Sequence, residues 1–133
     1  MEQFLKVYEV LYKKAKVDLN LAKLALENFE NGDIELDLEV VMFHLQQCAE
    51  KLIKSLMDYN KIAFKKTHDI LELIECAKEN NIMLIKNIEN LVPLTDYSVE
   101  GRYAILHDDI EDAHKYIKFL EEFKAFVEDT VSK

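Results

Sequence analysis

The sequence predicts an all-α protein, a four- to five-helix up-and-down antiparallel bundle, and three observations predict it. Apolar residues recur at the 3.6-residue period of amphipathic helices along most of the chain. Two glycines and one proline in 133 residues are too few for the turns of a β-sandwich or the phosphate-binding loop of a dinucleotide fold. Hydrophobic residues at 50% and charged residues at 32% suit a globular core, not a disordered chain. A length of 133 residues is about one domain, so residues 1–133 are expected to form a single helical unit.

The first helix is read from Phe4, with Val7, Tyr8, Leu11, Ala15, Leu19, Ala22, Leu26 and Phe29 on one stripe, and Asn31-Gly32 ends it. Asp33 or Asp37 caps a second, whose stripe Val41, Leu45, Cys48, Leu52 and Leu56 runs to about Tyr59. Thr67 is the expected N-cap of a shorter third helix carrying Ile70, Leu71, Ile74 and Ala77, closed by Asn80-Asn81. A fourth piece is expected from Ile82 to Leu91, stopping ahead of Pro93 because proline disfavours the α region in its predecessor. Residues 93–101 then read as a loop or a broken helix. Asp108 with Glu111, or Asp109 with Asp112, forms a capping signature for the last helix, which carries Ile110, Ala113, Tyr116, Ile117, Leu120, Phe123 and Val127.

Seventeen basic against 26 acidic residues give a formal charge of −9, a field that repels nucleic acid and anionic membranes, so any RNA contact must be local. Cys48 and Cys76 lie inside helical patterns without metal-binding or secretory spacing and read as small core residues of a reduced, cytoplasmic chain. Lysines and glutamates stud the first thirty residues, and no apolar run approaches ~20 residues, so neither a signal peptide nor a membrane span is expected. No cofactor motif is present. Glu111-Asp112-Ala113-His114 matches the Glu-x-x-His of di-iron bundles once, without the second copy that such a site needs, so no metal is expected and His114 reads as solvated.

Three clusters hold polar residues that a plain bundle would not need. In the second helix, Glu50 and Lys54 stand i,i+4 with the acid first, which by spacing alone is a surface pair worth about 0.3–0.5 kcal/mol. At the third helix start, Lys65, Lys66, Thr67, His68 and Asp69 combine a cap, a histidine able to reach the second helix, and two lysines able to hold an anion. The third cluster is Gly101-Arg102-Tyr103 followed by His107-Asp108-Asp109. Arg102 is the sole arginine among seventeen basic residues, and its planar fork suits bidentate phosphate or carboxylate recognition. Placed beside a helix start near Asp108, His107 would face a dipole that favours anions.

Taken in order, Phe43-His44-Leu45-Gln46-Gln47-Cys48-Ala49-Glu50-Lys51, then Lys66-Thr67-His68-Asp69-Ile70, then Tyr97 and Arg102-Tyr103, this helical chain resembles the HEPN domain family. The resemblance spans nearly the whole chain, from Asp18 and Ala22 in the first helix to the last helix. It implies a four- to five-helix bundle, a homodimer, and one of two roles. One is a helical accessory subunit of a small nucleotidyltransferase, in a toxin–antitoxin-like pair, binding a nucleotide or RNA phosphate. The other is a metal-independent endoribonuclease built on Arg-x(4 to 6)-His, met here by Arg102 and His107, with an upstream Glu-x3-Lys met by Glu50 and Lys54. In that chemistry His107 would move the proton and Arg102 would hold the phosphoryl oxygens as charge develops. Glu50, Lys54, Tyr103, Lys66 and His68 would support the site or bind phosphate. A two-fold axis near the last two helices would bring two Arg–His pairs into one cleft. Where one toxin branch continues Arg-x4-His-x-Tyr, Asp109 stands in place of the tyrosine, so control by AMP transfer to that residue is not expected.

Overall fold

The computed structural model describes residues 5–32, 38–98 and 109–132. Among them are four α-helices, α1 (Val7–Glu30), α2 (Leu38–Tyr59), α3 (Ile70–Glu79) and α4 (Ile110–Val131), and a 3₁₀ helix at Ile88–Tyr97. No strand occurs among the described residues.

Cross-helix bonds give the directions. Tyr8 lies edge-on to Tyr59 at 5.1 Å, while Asp18 meets His44 and Lys51, so α1 and α2 run antiparallel. Tyr12 bonds Glu128, Lys23 bonds Glu121 and Glu30 bonds His114, so α4 also runs against α1. The core lies between them. Ala15, Leu19, Ala22 and Leu26 of α1 meet Leu45, Leu52 and Leu56 of α2 and Leu120, Phe123 and Val127 of α4, all essentially inaccessible to water. The first turn of α1 departs from the expected stripe, because Val7 is exposed.

The helix ends follow backbone chemistry. α1 stops where Gly32 takes φ 76°, the left-handed region that glycine adopts without a Cβ penalty. α2 and α3 close in the same way with side chains present. Lys61 (φ 60°) and Asn81 (φ 59°) turn left-handed, and Ile62 and Ile82 return their N–H groups to Met57 and Ala77. Asp109 caps α4 in a reciprocal box, its carboxylate accepting from the Asp112 N–H at 3.0 Å while Asp112 accepts from the Asp109 N–H at 2.9 Å. The alternative caps Asp33 and Asp37 of α2, and Asp108 of α4, lie outside the described residues.

The expected helix from Ile82 to Leu91 is not formed. Residues 82–87 are non-helical, and the 3₁₀ helix continues through Pro93 to Tyr97. Ile88, Leu91, Leu94 and Tyr97 are its buried residues, spaced by three, and a 3₁₀ helix with three residues per turn stacks them on one face. An α-helix would rotate that row away from the core. Pro93 stands on the exposed side.

Among the described residues Phe123 is the largest fully buried side chain. Phe123→Ala should lower unfolding free energy by about 3–5 kcal/mol in urea titrations, whereas a loss below about 1 kcal/mol would contradict this packing.

Candidate functional site

Gln46, Glu50 and Lys54 recur every four residues and therefore share one face of α2. Glu50 is only 5% exposed. Its carboxylate receives Lys54 Nζ at 3.0 Å, Gln46 Nε2 at 3.1 Å and His68 Nδ1 at 2.8 Å. Gln46 also donates to the His68 carbonyl at 3.2 Å and accepts from Gln47 at 2.7 Å, which fastens the chain ahead of α3 to α2. The Lys54 ammonium lies 5.3 Å over the Phe64 ring. The surface pair expected from i,i+4 spacing is thus a largely buried one, its side chains 12% and 6% exposed, because Phe64 lies against Lys54 and His68 bonds Glu50.

Burial alone would raise the Glu50 pKa, but hydrogen bonds from His68, Lys54 and Gln46 outweigh it and hold the carboxyl below the usual glutamate range. An ionised carboxylate can only accept, so the His68 Nδ1 donates and Nε2 is the nitrogen left for an outside ligand. The His68 side chain is 62% exposed. A buried acid therefore orients a surface imidazole whose free nitrogen can take a proton or, once protonated, donate to an anion.

Thr67 is not the cap of α3. Asp69 is, accepting from the Leu71 and Glu72 N–H groups at 3.0 and 3.4 Å. The Thr67 hydroxyl accepts from the Asp69 N–H and donates to Glu72. Asp69 outcompetes Thr67 because its charge also favours the positive end of the helix. With these amides taken, the anion site expected from two lysines at a helix start is not built on the helix N–H groups. Lys65 lies 3.6 Å from Glu72, while Lys66 is exposed and has no ion pair among the described residues.

A second network occupies the other side of α2. Asp18 of α1, 7% exposed, meets His44 Nδ1 at 3.0 Å and the Lys51 ammonium. Cys48 lies between them along α2, where burial pushes its thiol far above the usual range and leaves it unreactive. His114 is exposed, but its Nε2 is bridged to Glu30 at 2.6 Å. Among the described residues no three His, Cys, Asp or Glu side chains converge as metal ligands.

Of the residues singled out from sequence, Glu50, Lys54 and His68 are brought together, and Lys66 stands outside their hydrogen bonds. Arg102, Tyr103 and His107 lie outside the described residues. Sequence reasoning missed Gln46 as the hub that joins Glu50 to the His68 backbone, and it missed the Asp18–His44–Lys51 set. The signals were there: Gln46 precedes Glu50 by one turn, and His44 and Lys51 stand two turns apart on an otherwise apolar face.

An antiparallel bundle with a buried Glu-x3-Lys pair in its second helix defines the class, a small helical domain with its polar chemistry built into one central helix. The HEPN domain family model matches residues 8–130, and the chain belongs to the HEPN family. Its fold is similar to the crystal structure of an archaeal HEPN homologue, with TM-score 0.66 and 22% identity, covering 96% of this chain and 99% of that one. No curated protein matches the chain significantly. Among the described residues no helix is long and apolar enough to cross a membrane.

Removing Glu50 alone leaves Lys54 buried without its partner. Glu50→Ala should therefore cost about 3–5 kcal/mol, while Glu50→Gln combined with Lys54→Met should recover most of that loss. Because the folded carboxyl sits below its unfolded value of about 4.3, its contribution is present above that pH and fades as pH falls through the folded value. The stability advantage of the wild type over the double variant should shrink between neutral pH and pH values under about 4. A gap independent of pH would contradict the arrangement.

Proposed function

We propose that this HEPN chain binds a phosphate-bearing ligand, a nucleotide or RNA, and acts as the helical accessory subunit of a small nucleotidyltransferase. The observation that carries the reading is the exposed imidazole of His68 anchored by the buried carboxylate of Glu50. With Nδ1 held by that carboxylate, the imidazole presents Nε2 outward, and exposed Lys66 two residues before it adds a cation on a chain of net charge −9. Lys54 is a positioning residue here: it is bound to Glu50, its side chain is 12% exposed, and Phe64 lies against it. A local cationic contact on an acidic protein suits a partner that brings its own nucleotide site better than it suits a processive hold on RNA.

The second reading, a metal-independent ribonuclease using Arg102 and His107, is favoured by the sole arginine and by a histidine two residues ahead of the Asp109 cap of α4. In it, Arg102 would stabilise the charge developing at phosphorus and His107 would transfer the proton.

Co-expression with the product of a neighbouring nucleotidyltransferase gene should yield a complex. ATP titration calorimetry of the chain, alone and in that complex, should give a heat that falls at least ~10-fold in affinity in the His68→Ala, Lys66→Ala variant. No complex and no heat would remove the accessory reading. Single-stranded RNA incubated with the protein in EDTA separates the alternatives: cleavage abolished by His107→Ala supports the nuclease, and intact RNA rejects it.

A further inference from the structure

The end of the bundle where α1 begins and α2 closes holds a cleft that the network around Glu50 does not use. It exists because of how α2 stops. Lys61 takes φ 60° and the Ile62 N–H returns to the Met57 carbonyl, so residues 62–64 turn away at the helix end instead of extending it. Ser55, buried in α2, donates to the Tyr8 carbonyl at 2.9 Å and fixes the first turn of α1 alongside. The space left between them is about 770 Å³, inside the range of small-molecule sites of about 300–1,000 Å³.

Its lining is aromatic and ionic at once. Tyr8 and Tyr59 meet edge-on with ring centroids 5.1 Å apart, and Phe64, with Lys54 over its ring, completes an aromatic wall whose members are all half-buried. Edge-on packing leaves ring faces open to a third ring. Lys6, Asp58 and Lys61 bring the charge, and Lys6 lies 5.9 Å over the Tyr8 ring. Among the described residues none of these three forms an ion pair, with one another or elsewhere. Two ammonium groups and a carboxylate thus share one aromatic cleft without neutralising each other.

We propose that this cleft binds a free aromatic α-amino acid. Such a zwitterion carries the three features that the lining complements: a ring for the aromatic wall, a carboxylate for Lys6 and Lys61, and an ammonium for Asp58. Charge selects it over simpler ligands. An aromatic acid without the ammonium leaves Asp58 facing a like charge, an aromatic amine without the carboxylate faces two lysines, and a nucleotide phosphate brings still more negative charge to Asp58. His68 and Lys66 do not line the cleft, so the binding is independent of the phosphate contact proposed above.

The chain contains no tryptophan, so the fluorescence anisotropy of an added indole reports binding directly. Titrating the full chain into L-tryptophan should raise that anisotropy to saturation, with indole-3-propionate and tryptamine each binding at least about tenfold more weakly for want of one charged contact. Two variants then assign the contacts. Asp58→Asn should abolish the preference for L-tryptophan over indole-3-propionate, and Lys6→Gln with Lys61→Asn should abolish the preference over tryptamine. Asparagine suits the left-handed backbone at position 61, and unchanged helicity and melting temperature confirm that both variants fold. The His68→Ala, Lys66→Ala variant should bind L-tryptophan as the wild type does. No rise in anisotropy, equal affinity for the three indoles, preferences that survive both variants, or displacement of tryptophan by AMP at lower concentration than by L-phenylalanine would each overturn the proposal.

Discussion

The arrangement depends on keeping one carboxylate charged with almost no access to water. An ionised glutamate that gives up its hydration must recover it from fixed partners. Glu50 does so through three donors from two parts of the chain: Lys54 and Gln46 on its own helix, and His68 from the segment ahead of α3. The same demand ties that segment to α2, brings Phe64 against Lys54, and fixes which nitrogen of His68 faces outward. Across α2, Asp18 does the equivalent for α1 through His44 and Lys51. The central helix is therefore pinned on both flanks by buried acids, while Val41, Met42, Leu45, Leu52, Ile53, Leu56 and Met57 pack as aliphatic core.

How far the sequence reveals this depends on whether the deciding contact is local. Helix existence follows from apolar periodicity, and the Asn31-Gly32 and Asn80-Asn81 ends follow from the chemistry of left-handed caps, so both are legible within a few residues. The segment around Pro93 is misread because two rules compete. Proline argues for a break, yet the three-residue row Ile88, Leu91, Leu94, Tyr97 already spells a 3₁₀ helix that passes through it. The burial of Glu50 and Lys54 is not legible at all from their own spacing, since i,i+4 is equally the signature of a surface pair. What decides it is the return of residues 64–69, fourteen or more positions after Glu50. The family pattern did mark these residues, but it could not say which of them point inward. For Arg102, Tyr103 and His107 the sequence supplies the pattern, and those positions lie outside the described residues.

The division of labour on the surface follows from charge. At net charge −9 the average surface field repels a polyanion, so the phosphate contact proposed here would be local to a few side chains. His68, held at Nδ1 by the buried Glu50 carboxylate, is the group proposed for that contact. α1 contributes differently. Its inward stripe of Ala15, Leu19, Ala22 and Leu26 builds the core, while Val17, Leu21 and Leu24 stand exposed on its outward face.

The tautomer of His68 tests the central claim most directly. Two-bond nitrogen–proton NMR correlation on imidazole-labelled protein, recorded well above the ordinary histidine value of about 6.5, distinguishes the two neutral forms. Proton held on Nδ1 in that neutral form, with an Nε2 whose resonance moves on addition of ATP once the ring is protonated at lower pH, is the result this account requires. A proton on Nε2, or an Nε2 resonance indifferent to the nucleotide, would mean that Glu50 does not aim this imidazole at a ligand.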